Sequence, residues 1–185
     1  MEDKYANPWR TLSSRQVYEN PWISVREDQV VRPDGRPGIY GVVHMKNKAI
    51  GVVPVDGEGN IYLIGQYRYT LNCYSWEIPE GGCPEGEDPL AAARRELLEE
   101  TGLEAREWRL LGKSHLSNSV TDEEAICYLA TDLIQKEAQP EGTEKLEILR
   151  LPFAEALRMI ERGEITDSLS IIAMLQYLHQ SGDGR

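Results

Sequence analysis

The sequence predicts an α/β or α+β sandwich folded as one domain. Three observations carry that expectation: short β patterns with turn signals fill the first half, helical periodicity begins only after Asp88, and no internal repeat or low-complexity linker interrupts the chain. At 185 residues the chain fits a single domain with a sizeable core.

The elements follow in order. "SRQVYENPWISVREDQVVR" alternates through two β runs broken at Asn20-Pro21, and "PDGRPG" from Pro33 to Gly38 closes a hairpin into "IYGVVHM". "KAIGVVPVDGEGNIYLIGQYRY" holds two apolar strands around the turn residues Asp56, Gly57, Gly59 and Asn60. The period then becomes helical. Asp88 can cap, Pro89 suits the first helical position and Gly102 suits the left-handed residue after the end, so the spacing predicts a helix over 89–101. Next, "EWRLLGKSHLS", "EEAICYLATDL" and "EKLEILRLP" read as strands. "PFAEALRMIERGEI" places Ala154, Leu157, Met159 and Ile160 on a helix stopped near Gly163, and "DSLSIIAMLQYLHQ" gives a last amphipathic helix.

Composition narrows the function. Against 31 acidic residues stand 20 lysines and arginines, a formal charge of −11 that repels nucleic acid phosphates and anionic membrane surfaces. No partner of either kind is expected. An anionic substrate remains compatible if metal cations or a few arginines reverse the sign locally. The start "MEDKYANPWR" lacks a signal-peptide pattern, and no stretch approaches the roughly 18 apolar residues needed to span a bilayer, so a cytoplasmic protein is expected. Cys73, Cys83 and Cys127 form no CxxC pair and are read as reduced thiols; His44, His115 and His179 share no ligand spacing.

The segment "WEIPEGG" (Trp76 to Gly82) followed by "AARRELLEETG" concentrates acid around a glycine turn. At 100° per residue, Glu96, Glu99 and Glu100 share an arc of about 100° on one helix face, with Leu90, Ala91, Leu97 and Leu98 expected on the packed side. Like charges at these spacings repel, and anions near a helix C-terminus oppose its dipole. One reading is a solvated face paired locally with Arg94 and Arg95. The other is a hard-cation site, since clustered carboxylates suit Mg²⁺ or Mn²⁺ bridging to phosphate oxygens.

Gly81, five residues, Glu87, seven residues, then Arg95-Glu96-Leu97-Leu98-Glu99-Glu100-Thr101-Gly102-Leu103 resembles the Nudix box, the signature of hydrolases of nucleoside diphosphates linked to another group. The resemblance extends over most of the chain. It implies a Nudix α/β/α sandwich with a mixed sheet, an N-terminal β extension over residues 1–45, a hydrolase domain over 46–185 and two C-terminal helices. It further implies Glu96, Glu99 and Glu100 as principal Mg²⁺ or Mn²⁺ ligands, the Glu80 carbonyl as a further one, Glu87 as support for the loop and outer metal, and Arg95 as the group orienting a box carboxylate.

Upstream, "QYRYTLNCYSWEIPEGG" resembles the ADP-ribose and nucleoside diphosphate sugar pyrophosphatases. That likeness implies Arg68 on a phosphate, Trp76 and Glu77 at the nucleotide or across a dimer, and a homodimer in which Trp22 or Tyr18 stacks on the base. Ordinary core or surface roles stay open for these residues. Two departures stand out: Glu80 occupies a position where alanine is commonest, and "HLSNSVTDE" puts Asn118 where a proline is usual, nearer to enzymes of GDP-mannose type. The general base is expected in "QPEGTEKLE", at Glu144 or Glu141. Dinucleotides such as NADH or FAD, and a catalytically silent nucleotide-sugar sensor, are the alternatives.

Overall fold

A computed structural model describes residues 5–136 and 146–182, which form two compact units. The first comprises residues 1–47 together with 117–123. Three antiparallel strands, β1 (Arg10–Glu19), β2 (Ile23–Val31) and β3 (Pro37–Met45), pair in sequence order. The break expected at Asn20-Pro21 is a side-chain-capped turn, in which Asn20 Oδ1 accepts from the N–H groups of Trp22 (2.9 Å) and Ile23 (2.8 Å). Gly35, at φ 81°, closes the next hairpin in a conformation open to glycine. Residues 117–123 join this unit through Val43 N–H to the Val120 carbonyl (2.8 Å), and through Asp122, which accepts from Met45 N–H and faces His44 at 2.6 Å. Nothing in the local sequence announces that attachment.

The second unit contains two sheets. One runs β10 (Glu147–Pro152), β5 (Asn60–Arg68), β6 (Cys73–Glu77), all antiparallel. The other is mixed, in the order β7 (Glu80–Pro84), β4 (Asn47–Pro54), β9 (Glu124–Gln135), β8 (Leu103–His115), with β4 parallel to β9 and β8 antiparallel to it. Strand β4 explains its own apolar run: Val53, with Val55 just past the strand, enters a core with Leu63, Ile78, Met159 and Met174, while Ile50 and Val52 enter a second core beneath the box helix. A strand covered on both faces reads as continuous rather than alternating hydrophobicity.

Among the described residues three helices complete the α/β/α sandwich. Helix α1 (Pro89–Thr101) has the expected ends: Asp88 accepts from Ala91 N–H and Gly102 is left-handed at φ 68°. Helix α2 (Phe153–Glu161) buries Ala156 and Met159, whereas Ala154, expected on that face, is exposed. Leu157, Met159 and Ile160 pack on the core as expected, and Phe153 rather than Ala154 joins them, edge-on to Tyr177 of α3 (Ser168–Ser181) at 4.8 Å. Cys83 and Cys127 are buried free thiols and Cys73 an exposed one. Among the described residues no helix is long and apolar enough to cross a membrane.

Candidate active site

The acidic face of α1 does not face solvent. The helix buries Ala92, Ala93 and Leu97, and with them Glu96 (9% exposed) and Glu100 (5%), whereas Ala91 is exposed and Leu98 only half-buried. Of the expected packed side Leu97 is fully buried and Leu90 half-buried, so the packed face is turned toward Glu96 and Glu100 and away from Ala91. That burial also removes the solvated-face reading, because carboxylates are taken out of water only where something else satisfies them.

What satisfies them begins with a change of sheet. Trp76 and Glu77 end β6 in one sheet, Glu80 begins β7 in the other, and Ile78-Pro79 is the crossing between them. The segment expected as a plain turn is therefore two strand ends joined by a short bridge. Glu80 N–H donates to Glu100 Oε2 at 2.9 Å. At the next residue a Cβ would land on the Glu96 carboxylate, so only glycine lets the backbone lie against it.

Arg95 joins the remaining acids. Its Nη1 donates to Glu96 (2.7 Å) and Glu99 (3.2 Å), and its Nη2 to Glu87 (3.2 Å) and the Gly82 carbonyl (2.9 Å). Burial alone would lower the pKa of this guanidinium, but Glu87 and Glu96 outweigh burial and raise it. Arg95 is thus a fixed cation that ties the loop at Gly82 and Glu87 to Glu96 and Glu99.

A second cluster adjoins the first. Arg68 donates from Nε (2.9 Å) and Nη2 (2.5 Å) to Glu77, which is 2% exposed, and from Nη2 to Glu80 Oε1 (2.5 Å). Glu80 Oε2 is buried without a hydrogen-bond partner. Burial, reinforced by the carboxylates of Asp167 and Glu77, raises the Glu80 pKa well above the usual range, with Arg68 opposing. The structure therefore brings Arg68, Glu77, Glu80, Glu87, Arg95, Glu96, Glu99 and Glu100 into one neighbourhood. Trp76 lies half-buried against the main core, edge-on to Tyr74 at 5.6 Å.

Tyr18, Trp22 and Asn118 are exposed residues of the first unit. Glu141 and Glu144 lie outside the described residues. Sequence reasoning missed Asp167 and Ser170. Both sit at the start of α3, where the pattern "DSLS" signals a helix cap and nothing more: Asp167 accepts from Ser170 N–H at 2.6 Å, and Ser170 Oγ accepts from Ile78 N–H at 3.0 Å.

Among the described residues, no three acids, histidines or cysteines stand gathered as a ready coordination sphere. Arg95 occupies the middle of the row instead. The chemistry of the donors nevertheless fits a hard divalent cation: they are carboxylate and backbone oxygens, with one buried oxygen unpartnered.

The fold and the row of glutamates against a glycine strand end together mark a hydrolase. The chain belongs to the Nudix family: residues 45–169 match the NUDIX domain, and residues 9–43 match the nucleoside diphosphate sugar hydrolase N-terminal domain. Over 171 residues it is 35% identical to an ADP-ribose pyrophosphatase of Mycobacterium tuberculosis, covering 90% of this chain and 82% of that one. It is 33% identical to a methanol dehydrogenase activator of Bacillus methanolicus, with 91% of each chain covered, and 29% identical to an ADP-ribose pyrophosphatase of Bacillus subtilis, again with 91% of each covered. A crystal structure of an ADP compounds hydrolase superposes with a TM-score of 0.86 at 22% identity, covering 99% of this chain and 100% of that one, which shows the fold. The protein is a Nudix hydrolase of ADP-ribose pyrophosphatase-like type, a family that uses a divalent metal.

Proposed function

We propose that the enzyme hydrolyses the pyrophosphate bond of ADP-ribose or a similar nucleoside diphosphate sugar, with Mg²⁺ or Mn²⁺, giving a nucleoside monophosphate and a sugar phosphate. The observation that carries this is the burial of Glu96 and Glu100 against the Glu80-Gly81 backbone, since acids held there without solvent suit a cation better than water. Glu96, Glu99, Glu100 and the Glu80 carbonyl hold the ion, with Glu87 at the outer side. When bound, it supplies positive charge to the diphosphate and the acidity that makes water a nucleophile near neutral pH.

The chain's own groups do the rest. Arg95 fixes the orientation of Glu96 and Glu99 and keeps the Gly82 carbonyl in place. Arg68, oriented by Glu77 and Glu80, turns its remaining donor edge toward a phosphate. A glutamate of the 137–145 segment, Glu144 or Glu141, takes the proton from the attacking water. Trp76 lines the nucleotide side, while Glu77, buried beneath Arg68, acts by orienting it.

Residues 1–45 serve as an N-terminal extension that pairs two copies as a homodimer and supplies Tyr18 or Trp22 to the base. Strand β1 supports this: it is exposed along its whole length, and Leu12, Val17, Tyr18 and Trp22 are large apolar side chains open to solvent. A GDP-mannose reading has support of its own in "SVTDE" and in 36% identity over 104 residues to a GDP-mannose pyrophosphatase of Klebsiella pneumoniae.

The test is a panel of ADP-ribose, GDP-mannose, ADP-glucose, UDP-glucose, NADH and FAD with either metal, reading released monophosphate. ADP-ribose should turn over fastest. A higher kcat/KM on GDP-mannose or NADH reassigns the substrate, and no turnover on any member overturns the proposal.

A further inference from the structure

Ile78, Pro79 and Glu80 cross between sheets, and each has one backbone group tied to a different element. Ile78 N–H donates to Ser170 Oγ on α3 (3.0 Å), the Pro79 carbonyl accepts from Val52 N–H on β4 (2.9 Å), and Glu80 N–H donates to Glu100 on α1 (2.9 Å). Proline has no N–H, so Ile78 and Glu80 carry the only backbone donors of the crossing. One of them already serves a box carboxylate. The other depends on Ser170, which is 0% exposed.

The neighbourhood leaves no slack. A Cβ at Gly51 would sit 2.9 Å from Ile78 Cδ1 and 3.2 Å from Leu169 Cγ, so the first turn of α3, the middle of β4 and the crossing are in close contact. Asp167 caps that turn through Ser170 N–H, which anchors the backbone that carries the Ser170 side chain.

We infer that Ser170 is a positioning residue of the hydrolytic site, through which α3 sets the backbone of Ile78–Glu80 and thereby the Glu80 amide and carbonyl against Glu100. This rests on the hydrolase reading above. Without an acceptor at position 170, the buried Ile78 N–H must find another partner, and the crossing has to shift to reach one.

Ser170→Ala keeps helix propensity while removing the acceptor, and Ser170→Cys keeps a weak one. Mn²⁺ affinity is measured directly by titration calorimetry on each protein, with steady-state kinetics on the best diphosphate substrate alongside. Ser170→Ala should weaken Mn²⁺ binding and lower kcat by roughly tenfold each, the scale for losing a group that orients metal ligands, while KM stays within about twofold. Ser170→Cys should fall between. Met174→Ala, a core truncation on the same helix, serves as the stability control and should lower Tm while leaving Mn²⁺ affinity in place.

Wild-type Mn²⁺ affinity and kcat in Ser170→Ala would overturn the inference, as would an equal loss of affinity in Met174→Ala. If the wild type binds Mn²⁺ but cleaves none of the diphosphates, the substrate reading fails while Mn²⁺ affinity still decides the role of Ser170. If the wild type binds no Mn²⁺, both fall.

Discussion

Two glycine-flanked segments of the second unit gather carboxylates beside an arginine, and they end in opposite states. At the β4–β5 turn, Asp56 accepts from the backbone N–H of Glu58 and of Asn60 (2.9 Å each), from the Asn60 side chain (3.2 Å) and from Arg150 (2.8 and 2.5 Å). Burial alone would raise its pKa, but the Asn60 and Arg150 donors lower it to about 2. At the β6–β7 crossing, Glu96, Glu99 and Glu87 share one arginine, Glu77 and Glu80 share another, and Glu80 keeps a buried oxygen with no partner. Counting acids does not separate the two places. Counting fixed donors per carboxylate does: a saturated carboxylate stays charged and holds a turn together, whereas Glu80, buried with one oxygen unpartnered, is pushed toward its neutral form unless a cation stands beside it.

Glu100→Gln breaks the comparison most directly. It should lower kcat by about 10³, the scale for losing an electrostatic contributor to a transition state, with an unchanged circular dichroism spectrum. Unchanged turnover would remove the cation site. Gly81→Ala comes next, because its Cβ meets the Glu96 carboxylate and must displace it; kcat should fall on the order of 10² for a misplacement of about 1 Å, and Tm should fall with it. Asp56→Ala should do the reverse, lowering Tm by roughly 2–4 °C in calorimetry while turnover stays within about twofold. If it instead abolishes turnover, the two segments are not separate in function.

The smallest effect is in acid. The folded Asp56 pKa is about 2 against an ordinary value of 3.8, so its contribution to stability is present above 3.8 and is lost as pH falls through about 2. The stability difference between wild type and Asp56→Ala should therefore shrink toward the acid end of that window. A difference that widened there would contradict the hydrogen-bond assignment.

The bounds of α1 were legible because they rest on residues with strong local preferences: Asp88 and Pro89 at one end, Gly102 at the other. The β hairpins before residue 46 were legible for the same reason, through Asn20-Pro21 and Gly35. That Glu96, Glu99 and Glu100 share one helix face followed from spacing, whereas their assignment to a cation came with the resemblance to the Nudix box. Which helix face is buried did not follow, because Glu96 and Glu100 break the usual link between polarity and exposure. Nor did the cross-sheet bridge, since "WEIPEGG" carries the proline and glycines of an ordinary turn. The least legible group was Ser170, whose role depends on a contact made far along the chain.

That contact has a consequence during synthesis. Ile78 and Ser170 are 92 residues apart, and the whole Nudix box lies between them. A nascent chain therefore exposes its glutamate row to the cell well before the helix that pins the crossing has been made, and a chain cut short before residue 168 would carry the complete signature without the support that holds it in working order.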